Sequence, residues 1–380
     1  MPIDYGTLRL IWWLLLGVLL IGFAIMDGFD LGAAMLHPFV PRNEKERRIL
    51  LNTIGPVWEG NQIWFVLGGG AAFAAWPPLY ATSFSGFYLA MFLVLCGFIL
   101  RPVALTFRSK VEAANWRQGW DRAFFLSGLV PSLIFGVAFG NLFLGVPFHF
   151  DHELRLTYEG GLLGLLNPFA LLCGLVSVAM LTMQGASYLA LKSEGELSAR
   201  AGRFGTWAAA ALLVLFTLAG LWVAFGIEGY VLQSAPDPAG PSNPLLKSVG
   251  RQAGAWLENY HRQSWNLTAP VLAYAGVIAA ALALRFKAPL IAFIGSSLSV
   301  AGVIATAGLS LFPFLLPSSS QPGHSLTVWD ASSSQLTLFI MLGATLVFLP
   351  IVLAYTSWVF AVMRGTVTES TIEREADTLY

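Results

Sequence analysis

The chain has 380 residues, 56% of them hydrophobic and 11% charged, and its 21 basic residues balance 21 acidic ones. A soluble domain carries about a quarter charged residues, so this composition, with mean hydropathy +0.69, excludes an ordinary soluble enzyme and reads as an all-α polytopic membrane protein. Zero net charge with neither a basic nor an acidic tail gives no footing for nucleic acid. Cys96 and Cys173 lie in separate apolar runs and offer neither a disulfide framework nor metal-ligand spacing.

Nine apolar runs approach or exceed the roughly 20 residues that cross a bilayer: 10–36, 51–75, 79–100, 123–145, 162–191, 204–226, 265–284, 289–315 and 335–363. The first is too long for a signal-peptide core and has no basic leader. Very short connections at Trp76-Pro77-Pro78 and around Phe286 imply antiparallel neighbours. The Lys and Arg residues set the orientation. The connections after odd-numbered spans and the C-terminal tail hold 16 of the 21, among them Arg42, Arg101, Arg108, Arg200 and Arg203. The other side holds Arg9, Arg155, Lys247, Arg251 and Arg262. The N-terminus is expected outside and the C-terminus in the cytoplasm.

Of the outer connections, 227–264 contains Asn243-Pro244 followed by apolar residues at helical spacing, which predicts a short amphipathic surface helix. The Ser-rich stretch 317–334 reads as a solvated loop. The endings GNLFLGVPF and GLSLFPFLLP echo one another after the fourth and eighth spans. That echo fits one membrane domain over 1–380, with a four-helix unit in 1–150, a second in 160–316, a ninth helix at 335–363 and a tail at 364–380.

The candidate chemistry lies where the first two runs meet. Asp27 and Asp30 sit three residues apart in GFAIMDGFDLG, so a helix carries both on roughly one face. Carboxylates within a span are costly and face a bundle interior, a water cavity or an ion route. Asp30 lies about 9 Å, and Glu59 in VWEGNQIW about 12 Å, from the inner ends of adjacent antiparallel runs at 1.5 Å per residue. With Asn61 and Gln62 beside them, Asp27, Asp30 and Glu59 suit an inward proton relay. A structural cluster pairing with Arg101 or with a neighbouring chain explains the same residues.

The five histidines, His37, His149, His152, His261 and His324, all fall at span ends or in connections. Axial haem ligands in a bundle would be His or Met from inside it. Met180, Met183 and Met341 lack a partner His and read as packing residues. The chain is therefore expected to bind no haem. It shows no phosphate loop, nucleophile elbow or zinc pattern, and no catalytic residue is assigned.

The stretches MPIDYGTLRLIWWLLLGVLLIGFAIMDGFDLG, RNEKERRILLNTIGPVWEGNQIWF and AAFAAWPPLYATSFSGFYLA resemble subunit II of cytochrome bd-type quinol oxidases, the cyanide-insensitive branch included. The resemblance continues through RPVALTFRSK, NPLLKSVGRQAGAWL, SLTVWDASSSQLTL and the terminal IEREADTLY. It implies a bacterial inner-membrane complex in which subunit I carries two b-type haems and a d-type haem, oxidises quinol and reduces oxygen to water. Subunit II binds no haem in that family and shares a two-bundle-plus-one architecture with subunit I. A small single-span subunit often joins the pair. Asp30 matches the acid of G-F-D and Glu59 that of W-D/E-G-N-Q, both implicated in a proton route; Glu replaces the Asp of many members. Trp64 matches a residue at a proposed oxygen entrance, and some members hold a structural quinone.

The alternative from another class is a proton-coupled secondary transporter using Asp27, Asp30 and Glu59. It would show broken helices in matching positions of two halves. Gly28 offers one break, but the second half contains no matching acid.

Overall fold

A computed structural model describes residues 2–234 and 237–368, and most of them are helical. The tail beyond 368, with Arg374 and IEREADTLY, lies outside the described residues. Helix α1 spans Tyr5–Leu36 and starts where the Asp4 carboxylate accepts the Thr7 N–H at 2.9 Å. The next run is not one helix. It divides into α2 (Glu44–Ile54) and α3 (Trp58–Ala75) around Gly55-Pro56, because proline cannot supply the amide that would continue the ladder. The run expected at 79–100 also divides, into α4 (Pro77–Gly86) and α5 (Tyr88–Phe107).

The remaining helices are α6 (Ala114–Leu144), α7 (Pro168–Lys192), α8 (Gly195–Phe225), the short α9 (Glu258–Arg262), α10 (Thr268–Arg285), α11 (Pro289–Leu311) and α12 (Gln335–Val362). Asn167 and Ser334 cap α7 and α12 with side-chain acceptors, and prolines open α4, α7 and α11. Among the described residues, eight helices are long and apolar enough to cross a membrane. Helix α3 is not one of them; at 18 residues, it begins with the polar stretch Glu59-Gly60-Asn61-Gln62.

Helix α1 is the hub, packing against α3, α6, α7 and α11. It meets α7 backbone to backbone: a Cβ on Gly32 would lie 2.0 Å from the Leu181 carbonyl oxygen and 2.8 Å from the Gly185 Cα. Only glycine permits that approach. Helices α5 and α6 pair, as do α7 with α8 and α10 with α11. Helix α12 stands apart, touching α1 and α3 and burying only Leu338.

Three antiparallel two-stranded ribbons cap one end of the bundle: β1 (Phe148–Phe150) with β2 (Leu156–Tyr158), β3 (Glu228–Leu232) with β4 (Val249–Ala253), and β5 (Phe314–Leu316) with β6 (Leu326–Thr327). The two echoing segments meet in this cap. Val146 donates to the Pro317 carbonyl at 2.8 Å and accepts from Ser319 N–H at 2.9 Å.

Two expectations for the cap are overturned. The amphipathic helix at 243–260 is instead a 3₁₀ turn at Pro244–Leu246, strand β4, a second 3₁₀ turn and α9. Asn243 does cap, but only the short turn, and Gly254 in the left-handed region (φ 76°) ends the strand. The loop at 317–334 is not solvated, since Ser318, Ser325, Thr327, Val328, Asp330 and Ala331 are buried. Its serines are spent on local hydrogen bonds, as when Ser325 accepts from Ser318 N–H at 2.9 Å. Asp330 pairs with Lys247 at 2.8 Å, and Arg9 reaches Ser332 at 2.7 Å and the Pro238 carbonyl at 2.6 Å.

Candidate functional site

Helix α1 carries Asp27 and Asp30 on its buried face, and both side chains are shut off from solvent. One turn of helix separates their fates. Asp27 receives both terminal nitrogens of Arg101 from α5, Nη2 reaching Oδ2 at 3.2 Å and Nη1 reaching Oδ1. Asp30 accepts instead from the side-chain amide of Asn61 on α3, at 2.9 Å through Oδ2. Its other oxygen, Oδ1, has no hydrogen-bond partner among the described residues. Buried polar groups are nearly always hydrogen-bonded, and this oxygen is an exception.

Arg101 corrects the charge pattern read from the sequence. It belongs to no connection: the helix runs through it and Pro102 to Phe107, and its side chain is wholly buried over the Phe98 ring. The pairing weighed against the relay is therefore present, and it takes Asp27 rather than Asp30.

Glu59 and Asn61 are two residues apart on α3, about 200° around the helix. Accordingly Asn61 points inward and Glu59 outward, exposed on the surface of the isolated chain. That surface continues through Ile63, Val66 and Phe73, all exposed. Glu59 stands in the first turn of α3, where the helix N-terminus favours negative charge. Asn61, which bonds Asp30, thus faces the opposite way from Glu59 on α3.

Trp64 is one turn beyond Asn61 and only 8% exposed. Its ring lies against Gly22, where a Cβ would come within 2.5 Å of it. A cavity of about 500 Å³ opens nearby, lined by Phe23, Phe65, Phe135, Phe169, Met180 and His261 among others. Trp64 is not in its wall. Met180 and His261 share this lining, a proximity that their separation along the chain hides.

No histidine projects from a membrane-spanning helix, the position from which bundles supply axial ligands. His37, just past α1, is buried 3.6 Å from Asp121 and edge-on to Phe124, and burial pushes it down to about 4 despite that carboxylate. His149 pairs with Glu159 at 3.1 Å, and His324 accepts the Phe150 N–H at 3.0 Å. Among the described residues, no group of three or more His, Cys, Asp or Glu could hold a metal ion.

The end opposite the ribbons is tied by ion pairs. Arg108 bonds Asp121 at 2.5 Å and Glu44 at 2.6 Å, and Arg200 bonds Glu46 at 2.6 Å. Burial raises the Glu46 carboxyl, but the Arg42 N–H and Arg200 outweigh it and hold the group below its usual range. Glu44 is lowered in the same sense, with Arg108 overcoming burial.

Two buried carboxylates, Asp27 paired with Arg101 and Asp30 bonded to Asn61, thus lie at the hub of a bundle of membrane-spanning helices. The family model for cytochrome bd terminal oxidase subunit II matches residues 8–363. The chain is 50% identical over 378 residues to cytochrome bd-I ubiquinol oxidase subunit 2 of Escherichia coli (strain K12), covering all of both chains. It is 31% identical to cytochrome bd ubiquinol oxidase subunit 2 of Bacillus subtilis (strain 168), covering 96% of this chain and 98% of that one. The bd oxidase structure from Geobacillus thermodenitrificans shares the fold at TM-score 0.68 and 16% identity, covering 94% of this chain and 98% of the matched one. The chain belongs to the cytochrome bd terminal oxidase subunit II family. It is a multi-pass subunit of a bacterial inner-membrane oxidoreductase complex, and a subunit I is its partner.

Proposed function

We propose that this chain is the haem-free subunit II of a bd-type quinol oxidase that reduces oxygen to water, and that it gives subunit I a proton route from the cytoplasm. The observation that carries the reading is the open Oδ1 of the fully buried Asp30, whose Oδ2 accepts from Asn61, a residue two positions along α3 from the exposed Glu59. A proton taken up at Glu59 would pass the amide-lined contact to Asp30. Asp27, held by Arg101, extends the polar group one turn deeper. The exposed face of α3 around Glu59 is the side offered to subunit I, where the b-type and d-type haems reside.

The basic connections support an N-terminus outside and a cytoplasmic C-terminus, with α3 as a ninth crossing. Helices α1, α3, α5 and α6 then form one four-helix unit and α7, α8, α10 and α11 a second, with α12 peripheral. The apolar cavity suits oxygen or a structural quinone, and Trp64 stands beside its approach through Phe65. Ubiquinol fits as electron donor because the Escherichia coli and Bacillus subtilis relatives are ubiquinol oxidases by name. A small single-span subunit completes the assembly, and membrane lipid surrounds it.

Purification in mild detergent followed by a visible spectrum tests this reading. Co-purified b and d haem bands with quinol-dependent oxygen uptake are expected. A colourless, monodisperse protein would instead favour a proton-coupled transporter.

A further inference from the structure

At the basic end, away from the proton-route residues, a cavity of about 400 Å³ opens between the turn after α1 and the start of α8. Three guanidinium groups and three aromatic rings line it: Arg42, Arg200, Arg203, Phe39, Phe204 and Trp207. Four of the six come from α8, and their spacing of three and four residues places them on one face.

The three arginines are not equivalent. Arg200 is buried and committed, bonding Glu46 at 2.6 Å and the Val40 carbonyl at 2.8 Å. Arg42 and Arg203 are exposed, and among the described residues neither guanidinium has a hydrogen-bond or ion-pair partner. With Glu46 offsetting Arg200, the cavity faces its ligand with two uncompensated positive charges.

The aromatic wall gives the cavity a direction. Phe39 lies 6.2 Å from Phe204 between ring centroids. Trp207, one turn further along α8 toward the bundle middle than Arg203, is 77% exposed. The order along the helix is thus cation first, then indole. Arginine matches phosphate oxygens in a planar fork, and tryptophan favours the level of lipid headgroups. Basic pockets between helices on the cytoplasmic side suit anionic headgroups.

We propose that this cavity binds the phosphodiester headgroup of an anionic phospholipid, with Arg42 and Arg203 on the phosphate and Phe39, Phe204 and Trp207 along the glycerol and first methylenes. A free phosphate shares the anion chemistry but has no use for the exposed indole. The site goes beyond the proton-route reading and does not depend on it, because its test reads lipid mass rather than turnover.

The intact complex, delipidated in detergent, would be titrated with phosphatidylglycerol, phosphatidylcholine and inorganic phosphate and read by native mass spectrometry. Wild type is expected to hold one tightly bound phosphatidylglycerol that phosphatidylcholine does not replace. Arg42→Gln/Arg203→Gln should weaken that molecule about thirtyfold. Trp207→Ala should weaken it severalfold without changing phosphate binding. A control pair in the ribbon cap, Arg155→Gln/Arg262→Gln, should behave as wild type. Unchanged phosphatidylglycerol in the double glutamine variant would overturn the site. So would equal affinity for phosphatidylcholine, or an anion affinity for inorganic phosphate matching that for the lipid and indifferent to Trp207.

Discussion

Arg101 and Asp27 face each other with both side chains wholly buried, the guanidinium reaching both carboxylate oxygens. A pair this deep is costly to form and more costly to break, because removing one member leaves the other charge unpaired. Asp27→Asn or Arg101→Gln alone should lower the stability of the assembled complex by about 3–5 kcal/mol. The double variant Asp27→Leu/Arg101→Met, which removes both charges, should recover most of that loss. Thermal melts of the purified complex distinguish coupling from simple addition.

The α1–α7 contact sets a second expectation. Gly32→Ala would drive a methyl group into the Leu181 carbonyl, and neither backbone can yield without parting the helices. Overpacking costs about 1–3 kcal/mol where side chains can adjust, so this backbone clash should reach or exceed the top of that range. Gly69 on α3 has nothing within 4 Å of an added Cβ. Gly69→Ala should therefore be neutral, or stabilising by about 0.5–1 kcal/mol through helix propensity. Comparing the two by yield and melting temperature checks the claim.

Acid should destabilise the basic end in two windows. Burial pushes His37 down to about 4, against an ordinary value of 6.5. Between those values the unfolded chain binds a proton that the folded chain refuses, so stability rises with pH there. The full effect is about 3 kcal/mol. Glu44 and Glu46, both held below 4.5 by their arginines, keep their contribution above that pH and lose it as pH falls through their folded values. His37→Leu should flatten the upper window and leave the lower one. A melting-temperature profile from pH 7 to pH 3 reads both.

Much of this was legible in the sequence, and the failures have physical reasons. The long apolar runs and the acids within them are strong signals, because water-free surroundings tolerate neither unpaired backbone nor unexplained charge. Arg101 was misplaced because arginine at a span edge normally snorkels to the headgroups. Only the continued apolar run after Pro102 hinted that the helix went on. The ribbons were missed because strands of two to five residues are too short for a visible alternation. The isolated bridge from Val146 to Ser318, outside the ribbons, joins residues far apart in the chain. The opposite facing of Glu59 and Asn61 was missed, because the two were read as one polar group although helical spacing sets them about 200° apart.

Oxygen supply gives another expectation. Trp64 fills the contact with Gly22, and the neighbouring Phe65 lines the apolar cavity. If oxygen approaches here, Trp64→Ala and Trp64→Phe should shift the apparent oxygen KM more than the maximal rate. Identical oxygen dependence in both variants, with normal haem content, would place the entrance elsewhere.

The proton route is tested most directly by turnover per assembled haem in Asp30→Asn, Glu59→Gln and Glu59→Asp. The first two keep side-chain volume and remove a titratable site; the third keeps the acid. General proton-transfer groups are worth about 10²–10⁴ in rate. The account predicts slowing of about a hundredfold or more in each neutral variant, at near-normal haem content, and near-wild-type turnover in Glu59→Asp. Normal turnover per haem in both neutral variants would contradict it and leave Asp30 and Glu59 as packing or assembly residues.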